Sequence, residues 1–229
     1  MNHRYPKASG VILAAGRGER LGAPTNKALV ELGGRSLVRW SAEAFAASRA
    51  VVEIVAVARP GEEAAVEGVL DGLGLPWRVV PGGERRQDSS LAGIRAAMGE
   101  YVLIHDAARP LVKPDLIRRV LEAAVRHGAA VPVIPVRDTL RYAVDGFLQA
   151  GGPDRTDLYA VQTPQGFRRE LIRAALEDAS RRGFPLTDDA GAILARGGRV
   201  AAVPGDISNL KITYPEDLEL ARAILASRG

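Results

Sequence analysis

Short, near-continuous apolar runs recur along this 229-residue chain, and helical patterns fill the spaces between them. Val11 to Ala15, Val51 to Ala58, Tyr101 to Ile104 and Ala129 to Ile134 are such runs. Each is far shorter than the ~18 residues of a membrane span. Continuous rather than alternating apolarity marks strands buried on both faces, which requires helices packed against each side of a sheet.

The intervening segments supply those helices. Ser36 caps a stretch in which Leu37, Trp40, Ala44 and Phe45 recur at helical spacing. A helix is expected over residues 61–70, a strand at Trp77–Val80, a turn at Pro81-Gly82-Gly83 and a helix over Ser89–Met98. Pro114 opens a helix that runs to His127. Further helices are expected from Arg168 and from Thr187, where Thr187-Asp188-Asp189 serves as the N-cap, with a strand at Val200–Val203 between them and the C-terminal helix. In that last helix Thr213 and Glu216 form a capping box ahead of Leu218, Ala221 and Ile224. The expected fold class is α/β, a mostly parallel sheet with helices on both faces.

The alternation stops between residues 136 and 163. Thr139 to Val144, Asp145-Gly146 and Phe147-Leu148 read as a β-hairpin with an Asp-Gly turn, and Leu158 to Gln162 resumes as strand. Residues 1–229 are expected to form one domain in which 136–163 is an inserted, projecting arm. An edge hairpin on the main sheet is the alternative reading of the same residues.

Ligands of parallel sheets bind at the carboxyl ends of the strands. The first strand leads into Gly16-Arg17-Gly18-Glu19-Arg20-Leu21-Gly22, with Asn26-Lys27 just beyond. Glycines let backbone N–H groups approach a phosphate, and nearby cations neutralise it. A dinucleotide loop would need a glycine where Leu21 stands, and a P-loop would need Gly-Lys-Ser/Thr. A glycine-rich turn carrying Arg20 and Lys27 suits a triphosphate attacked at its α-phosphorus. A second such position is Asp106, at the end of the Tyr101–Ile104 strand.

Composition narrows the partners. The chain is 47% hydrophobic and 25% charged, with a net charge of +4. Aromatics make up 5%, and the arginines lie scattered among acids, unlike a nucleic-acid surface. Only four lysines occur, at 7, 27, 113 and 211; two of them, Lys27 and Lys211, stand inside dense motifs. Cysteine is absent, and the apolar segment after Lys7 is short for a signal peptide and interrupted by Arg17. A cytoplasmic protein without disulfides or membrane association is expected. His105, a lone histidine at a strand end, is expected to be hydrogen-bonded structure rather than an acid or base.

Seven blocks in order carry a resemblance. They are Ala14-Ala15-Gly16-Arg17-Gly18-Glu19-Arg20-Leu21, Gly82-Gly83 with Asp88-Ser89, His105-Asp106-Ala107-Ala108-Arg109-Pro110, Pro135-Val136-Arg137-Asp138-Thr139, Gln162-Thr163-Pro164-Gln165, Thr187-Asp188-Asp189, and Asn209 to Leu218. Together they resemble the 2-C-methyl-D-erythritol 4-phosphate cytidylyltransferases of the non-mevalonate isoprenoid pathway, over nearly the whole chain from residue 10.

The resemblance implies a Rossmann-like nucleotidyltransferase fold, Mg2+ or another divalent cation, and a homodimer built through the arm. It implies a reaction that joins CTP and methylerythritol phosphate and releases diphosphate. Arg20 and Lys27 correspond to the cations that stabilise the transition state. Ala14, Ala15, Gly16, Gly18, Gly82, Ser89, Asp106 and Ala107 correspond to the nucleotide pocket, with Asp106 also beside the metal. Thr139, Arg155, Thr163 and Lys211 correspond to the groups that hold methylerythritol phosphate.

Two departures stand beside Lys27: Asn26 where the family usually has proline, and Ala28 where it has glutamine. The rival readings are a ribitol-5-phosphate cytidylyltransferase, a nicotinamide-dependent oxidoreductase and a non-catalytic nucleotide-binding regulator. The missing third glycine opposes the second, and the retained Arg20, Lys27 and Lys211 oppose the third.

Overall fold

The computed structural model describes residues 6–16, 18–21 and 26–228, apart from the side chain of Glu19. Arg17 and Gly22 of the glycine-rich turn lie outside the described residues.

Chain order begins with β1 (Ala8–Ala14), the short ribbon β2 (Glu31–Leu32) and β3 (Arg35–Ser36), α1 (Leu37–Ser48), β4 (Glu53–Ala58) and α2 (Glu63–Leu70). It continues with β5 (Trp77–Pro81), α3 (Arg86–Ala96), β6 (Tyr101–Asp106), α4 (Pro114–His127) and β7 (Ala129–Pro135). The hairpin β8 (Ala143–Val144) and β9 (Phe147–Leu148) follows, then β10 (Tyr159–Val161) and β11 (Gln165–Arg168). The chain ends with α5 (Arg169–Arg181), α6 (Ala190–Leu194), β12 (Ala201–Pro204) and α7 (Pro215–Ala226).

The main sheet runs β10-β7-β11-β6-β1-β4-β5, with β12 also paired to β7. Pairs β1–β4, β1–β6, β4–β5 and β7–β12 are parallel, while β11 lies antiparallel between β6 and β7 and β10 is antiparallel on β7. The expected α/β class is therefore what the chain adopts, with two reversed strands added.

Period-2 geometry divides each central strand between two cores. Ile12, Ile54 and Ala56 face Val38 and Phe45 of α1, Val66 and Leu70 of α2, and Leu116 and Val120 of α4. Val11, Val55 and Val57 face Leu91 and Ile94 of α3, Ile172 and Ala175 of α5, and Ile193 of α6. A third cluster packs Ala221 of α7 against Leu32, Leu37, Leu111 and Ile212.

Local signals set most boundaries. Ser36 Oγ accepts from Arg39 N to start α1, and α4 runs from Pro114 at its first turn to Gly128, whose φ of 82° ends it. Three expectations shift. α3 starts at Arg86 rather than Ser89, so the Gly82-Gly83 turn leads almost directly into it. α6 begins at Ala190, after the Thr187-Asp188-Asp189 block, with Asp188 Oδ1 accepting from Gly191 N at 2.9 Å. The capping box of α7 pairs Tyr214 with Asp217, not Thr213 with Glu216: Asp217 Oδ2 accepts from Thr213 N at 2.7 Å and Tyr214 N at 2.8 Å.

The hairpin forms a two-stranded sheet of its own, off the main sheet. Asp145 and Gly146 both take positive φ, 49° and 81°, as a type I′ turn requires. Its strands are two residues each, shorter than the Thr139–Val144 run implied. Tyr159–Val161, at the far end of the same insertion, joins the main sheet through β7.

Candidate active site

A cleft of about 830 Å³ opens where β1, β4, β5 and β6 end. Its wall includes Ala15, Gly16 and Gly18 after β1, Arg59 and Pro60 after β4, Gly82 and Gly83 after β5, and Asp106 closing β6. Arg20, Lys27, Arg85, Arg86, Ser89, Lys211 and Thr213 also line it. Carboxyl-end placement follows from the parallel strands: β4, β5 and β6 each lead from this edge into a helix, and β1 leads by way of the β2–β3 ribbon to α1.

The glycines here are required by close approach. A Cβ on Gly82 would lie 2.7 Å from Ser89 Oγ and 3.0 Å from the Ala15 methyl. Gly82 N donates to Ala58 O at 2.8 Å, and Gly83 N donates to Ser89 Oγ at 3.2 Å. This turn therefore packs close on Ser89 and the Ala15 methyl, and its backbone and that of Gly16 line a slot in the cleft. Gly18, at φ 69°, would place a Cβ 2.7 Å from Lys27 Cβ. Its bare backbone lets Lys27 pack directly on the glycine-rich turn.

Cations converge on this slot. Burial first, and then the like charges of Lys211 and Arg20, lower the Lys27 ammonium from 10.5 to about 8, against the pull of Asp217 and Asp106. The guanidinium carbon of Arg20 sits 6.0 Å from the Tyr214 ring centroid, ahead of α7. Lys211 Nζ donates to Asp106 Oδ2 at 2.7 Å. Arg86 Nη2 donates to Asp106 Oδ1 at 3.1 Å, and its Nη1 lies 2.8 Å from Asp189 Oδ2.

Asp106 is thus gripped from two sides. Burial works to raise its pKa, but Arg86, Lys211 and Arg109 outweigh burial and hold the carboxyl well below the usual range. Asp189 is fully buried, and burial pushes its carboxyl up against the pull of Arg86. Arg86 links the two acids across the base of the cleft.

His105 contributes no proton chemistry here. It is buried, its Nε2 contacts Arg109 O at 3.1 Å, and its Nδ1 contacts Thr163 Oγ1 at 3.0 Å. Burial drives it down to about 4, so it is neutral at physiological pH. Lys211 is delivered by a segment laid along the end of β6: Ile212 N donates to Ala108 O at 2.8 Å, and Arg109 Nη1 donates to Asn209 O at 2.8 Å.

Of the residues singled out from sequence, Ala15, Gly16, Gly18, Arg20, Lys27, Gly82, Ser89, Asp106 and Lys211 line the cleft. Ala14 and Ala107 are each only 1% exposed and support the wall from behind. Thr163 is also buried, and its hydroxyl accepts from Asp106 N at 3.1 Å, so it braces the aspartate. Thr139 and Arg155 belong to the arm and do not line the cleft of their own chain. Arg155 Nη1 donates to Arg137 O at 2.8 Å, within the arm. Arg59, Arg86, Asp189 and Asn26 join the site only through the folded structure. Arg86 and Asp189 did lie in or beside the Gly82–Ser89 and Thr187–Asp189 blocks, which were the available signal.

The doubly covered sheet and the cation-lined slot at its carboxyl edge are the arrangement of a nucleotide-binding α/β enzyme. The profile of the 2-C-methyl-D-erythritol 4-phosphate cytidylyltransferase (IspD) family matches residues 9–227. The chain belongs to that family. A 2-C-methyl-D-erythritol 4-phosphate cytidylyltransferase from Geobacillus kaustophilus (strain HTA426) is 42% identical over 95% of this chain and 96% of its own. A bifunctional enzyme IspD/IspF from Anaeromyxobacter sp. (strain Fw109-5) is 43% identical over 97% of this chain, which spans 58% of that longer protein. The crystal structure of 2-C-methyl-D-erythritol 4-phosphate cytidylyltransferase from Thermus thermophilus superposes with a TM-score of 0.80 at 40% identity, covering 94% of this chain and 98% of that one.

Proposed function

We propose that this chain transfers the cytidylyl group of CTP to 2-C-methyl-D-erythritol 4-phosphate, an isoprenoid precursor step supplied from the cytoplasmic CTP pool. The observation that supports this most is the convergence of Arg20, Lys27 and Lys211 on a backbone-lined slot that ends at Asp106.

The chemistry fits these groups. A phosphate oxygen of the acceptor attacks the α-phosphorus of CTP, the bond from that phosphorus to the α–β bridging oxygen breaks, and diphosphate leaves. The nucleophile is already ionised near neutral pH, so a neutral, buried His105 is no obstacle. Negative charge builds at the α-phosphorus, where Lys27 and Arg20 would stabilise it. One such donor contributes about 10²–10³ in rate. The Gly82 turn and the Ala15-Gly16 backbone would read the pyrimidine edge, favouring cytosine over a bulkier purine or a mismatched uracil.

A divalent cation fits the donor set. Among the described residues no group of three His, Cys, Asp or Glu side chains forms a protein-only cage. Mg2+ needs no such cage, since it keeps waters and phosphate oxygens and takes one or two carboxylates. Asp106, ionised and at the cleft wall, is the residue that would hold it. Bound there with the triphosphate, the ion would neutralise phosphate charge.

The arm is read as the homodimer contact. Tyr142, Val144, Phe147 and Leu148 are 65%, 56%, 75% and 74% exposed, an apolar surface that a second copy would cover. Thr139 and Arg155 would then serve the neighbour's cleft and hold the acceptor phosphate with Lys211. The comparisons do not favour the ribitol-5-phosphate or regulator readings.

Diphosphate release checks substrate choice. With Mg2+, CTP and methylerythritol phosphate should give rapid release, with ATP, UTP or ribitol 5-phosphate giving far less. Equal kcat/KM with ribitol 5-phosphate, or comparable release with ATP, would contradict the assignment.

A further inference from the structure

The turn that presents Lys27 is tied down by a side chain for which the transfer reaction has no chemical use. Asn26 is 3% exposed, and its amide is fully engaged. Nδ2 donates to Ala14 O at 2.7 Å and to Glu62 Oε2 at 2.6 Å, while Oδ1 accepts from Ala28 N at 2.9 Å. Two acceptors on one side and a donor on the other admit a single orientation of the amide. Lys27 is the first residue of the 3-10 turn that Asn26 caps, and Gly18 packs against its Cβ from the other side.

Glu62 anchors the far end. It precedes α2, three residues after Arg59, which lines the cleft and lies 3.8 Å from the Glu62 carboxylate. A continuous path therefore runs from the end of β1 through Asn26 to the β4–α2 loop, joining two walls of the cleft beneath Lys27. Glu62 reaches Lys27 through Asn26, by the hydrogen bond to its Nδ2.

The departure from the family pattern gains a physical meaning here. Asn26 has φ −51°, within the range that a proline ring imposes. A proline fixes this turn covalently. An asparagine fixes it only when its partners are in place, which transfers part of the task to a residue outside the cleft.

We propose that Asn26 and Glu62 form a positioning strap for Lys27, so that transfer depends on Glu62 although it touches no substrate. The proposal rests on the reading of Lys27 as the charge stabiliser. A misplacement near 1 Å is enough to cost about 10²-fold in rate. Without the Glu62 carboxylate, one amide hydrogen of a buried side chain loses its acceptor, and the turn can rotate.

Steady-state kinetics with CTP and methylerythritol phosphate test this. Glu62→Ala should lower kcat about tenfold with the acceptor KM unchanged within about twofold. Glu62→Gln, which still offers an amide oxygen to Asn26, should keep at least about half the parent rate. Asn26→Ala should cost about 30-fold, and adding Glu62→Ala to it should cost nothing more, because both act through one link. Asn26→Pro should restore the rate in the Glu62→Ala background. A Glu62→Ala kcat within about twofold of the parent, or multiplicative effects in the double variant, would overturn the strap. Lys27→Ala, measured alongside, separates the two levels. If it is inactive while Glu62→Ala is normal, the strap alone fails. If Lys27→Ala turns over normally, the reading of the site fails and the strap with it.

Discussion

Lys27 shows how single residues are tuned by their surroundings. Burial and the like charges of Lys211 and Arg20 bring its pKa to about 8, so part of the population loses the proton in mildly alkaline solution. A bound triphosphate reverses the local field and draws the proton back. CTP binding at pH 8 should therefore take up protons, read as a heat that varies with buffer ionisation enthalpy, and kcat/KM for CTP should fall as pH rises through about 8. Lys27→Met should abolish the uptake; buffer-independent heats in the parent protein would contradict this role. Folding stability responds with the opposite sign. Between about 8 and 10.5 the unfolded chain binds more protons at this lysine, so its contribution to stability rises with pH. Arg20, Lys27 and Lys211 were legible in the sequence because each sits in a short motif that its chemistry explains. Asp189 was not. Its meaning comes from an ion pair with Arg86, and no local pattern announces a partner so distant in the chain.

Elements were legible where packing and local chemistry agree. β4 is buried at all six positions, and its apolar run had no other use. α4 carries a proline at its start and a glycine at its end, and its bounds follow. β11 is not legible in the sequence because Gln165-Gly166-Phe167-Arg168 is brief and follows a proline. Only its insertion between β6 and β7 makes it a strand. The capping box of α7 has two registers in the sequence, since Glu216 and Asp217 are both acidic. Geometry selects Asp217, whose carboxylate receives two backbone N–H groups, while Glu216 is exposed. Asp217→Ala should cost about 1 kcal/mol, lowering Tm by about 2–4 °C. Glu216→Ala should stay within about 0.5 kcal/mol. Thermal unfolding of both variants checks the register, and the reverse ranking would contradict it.

At the scale of the whole molecule, one chain gathers the nucleotide slot and its cations, but leaves Thr139 and Arg155 on an arm outside that slot. The arm was visible in the sequence as a break in the strand–helix alternation and as an Asp-Gly turn. What it contacts was not, since its exposed Tyr142, Phe147 and Leu148 have meaning only against a second surface. In the proposed homodimer each reaction centre takes Lys27 from one copy and Arg155 from the other. Mixing a Lys27→Ala protein with an Arg155→Ala protein tests this most directly. Each alone should be nearly inactive. After co-refolding, mixed dimers make up about half of a closed two-fold population, and each contains one centre with both residues intact. Cytidylyl transfer should return to about a quarter of the parent rate. If both residues served the centre of a single chain, every centre in the mixture would still lack one of them. A mixture as inactive as its components, with subunit exchange verified, would contradict the shared centre.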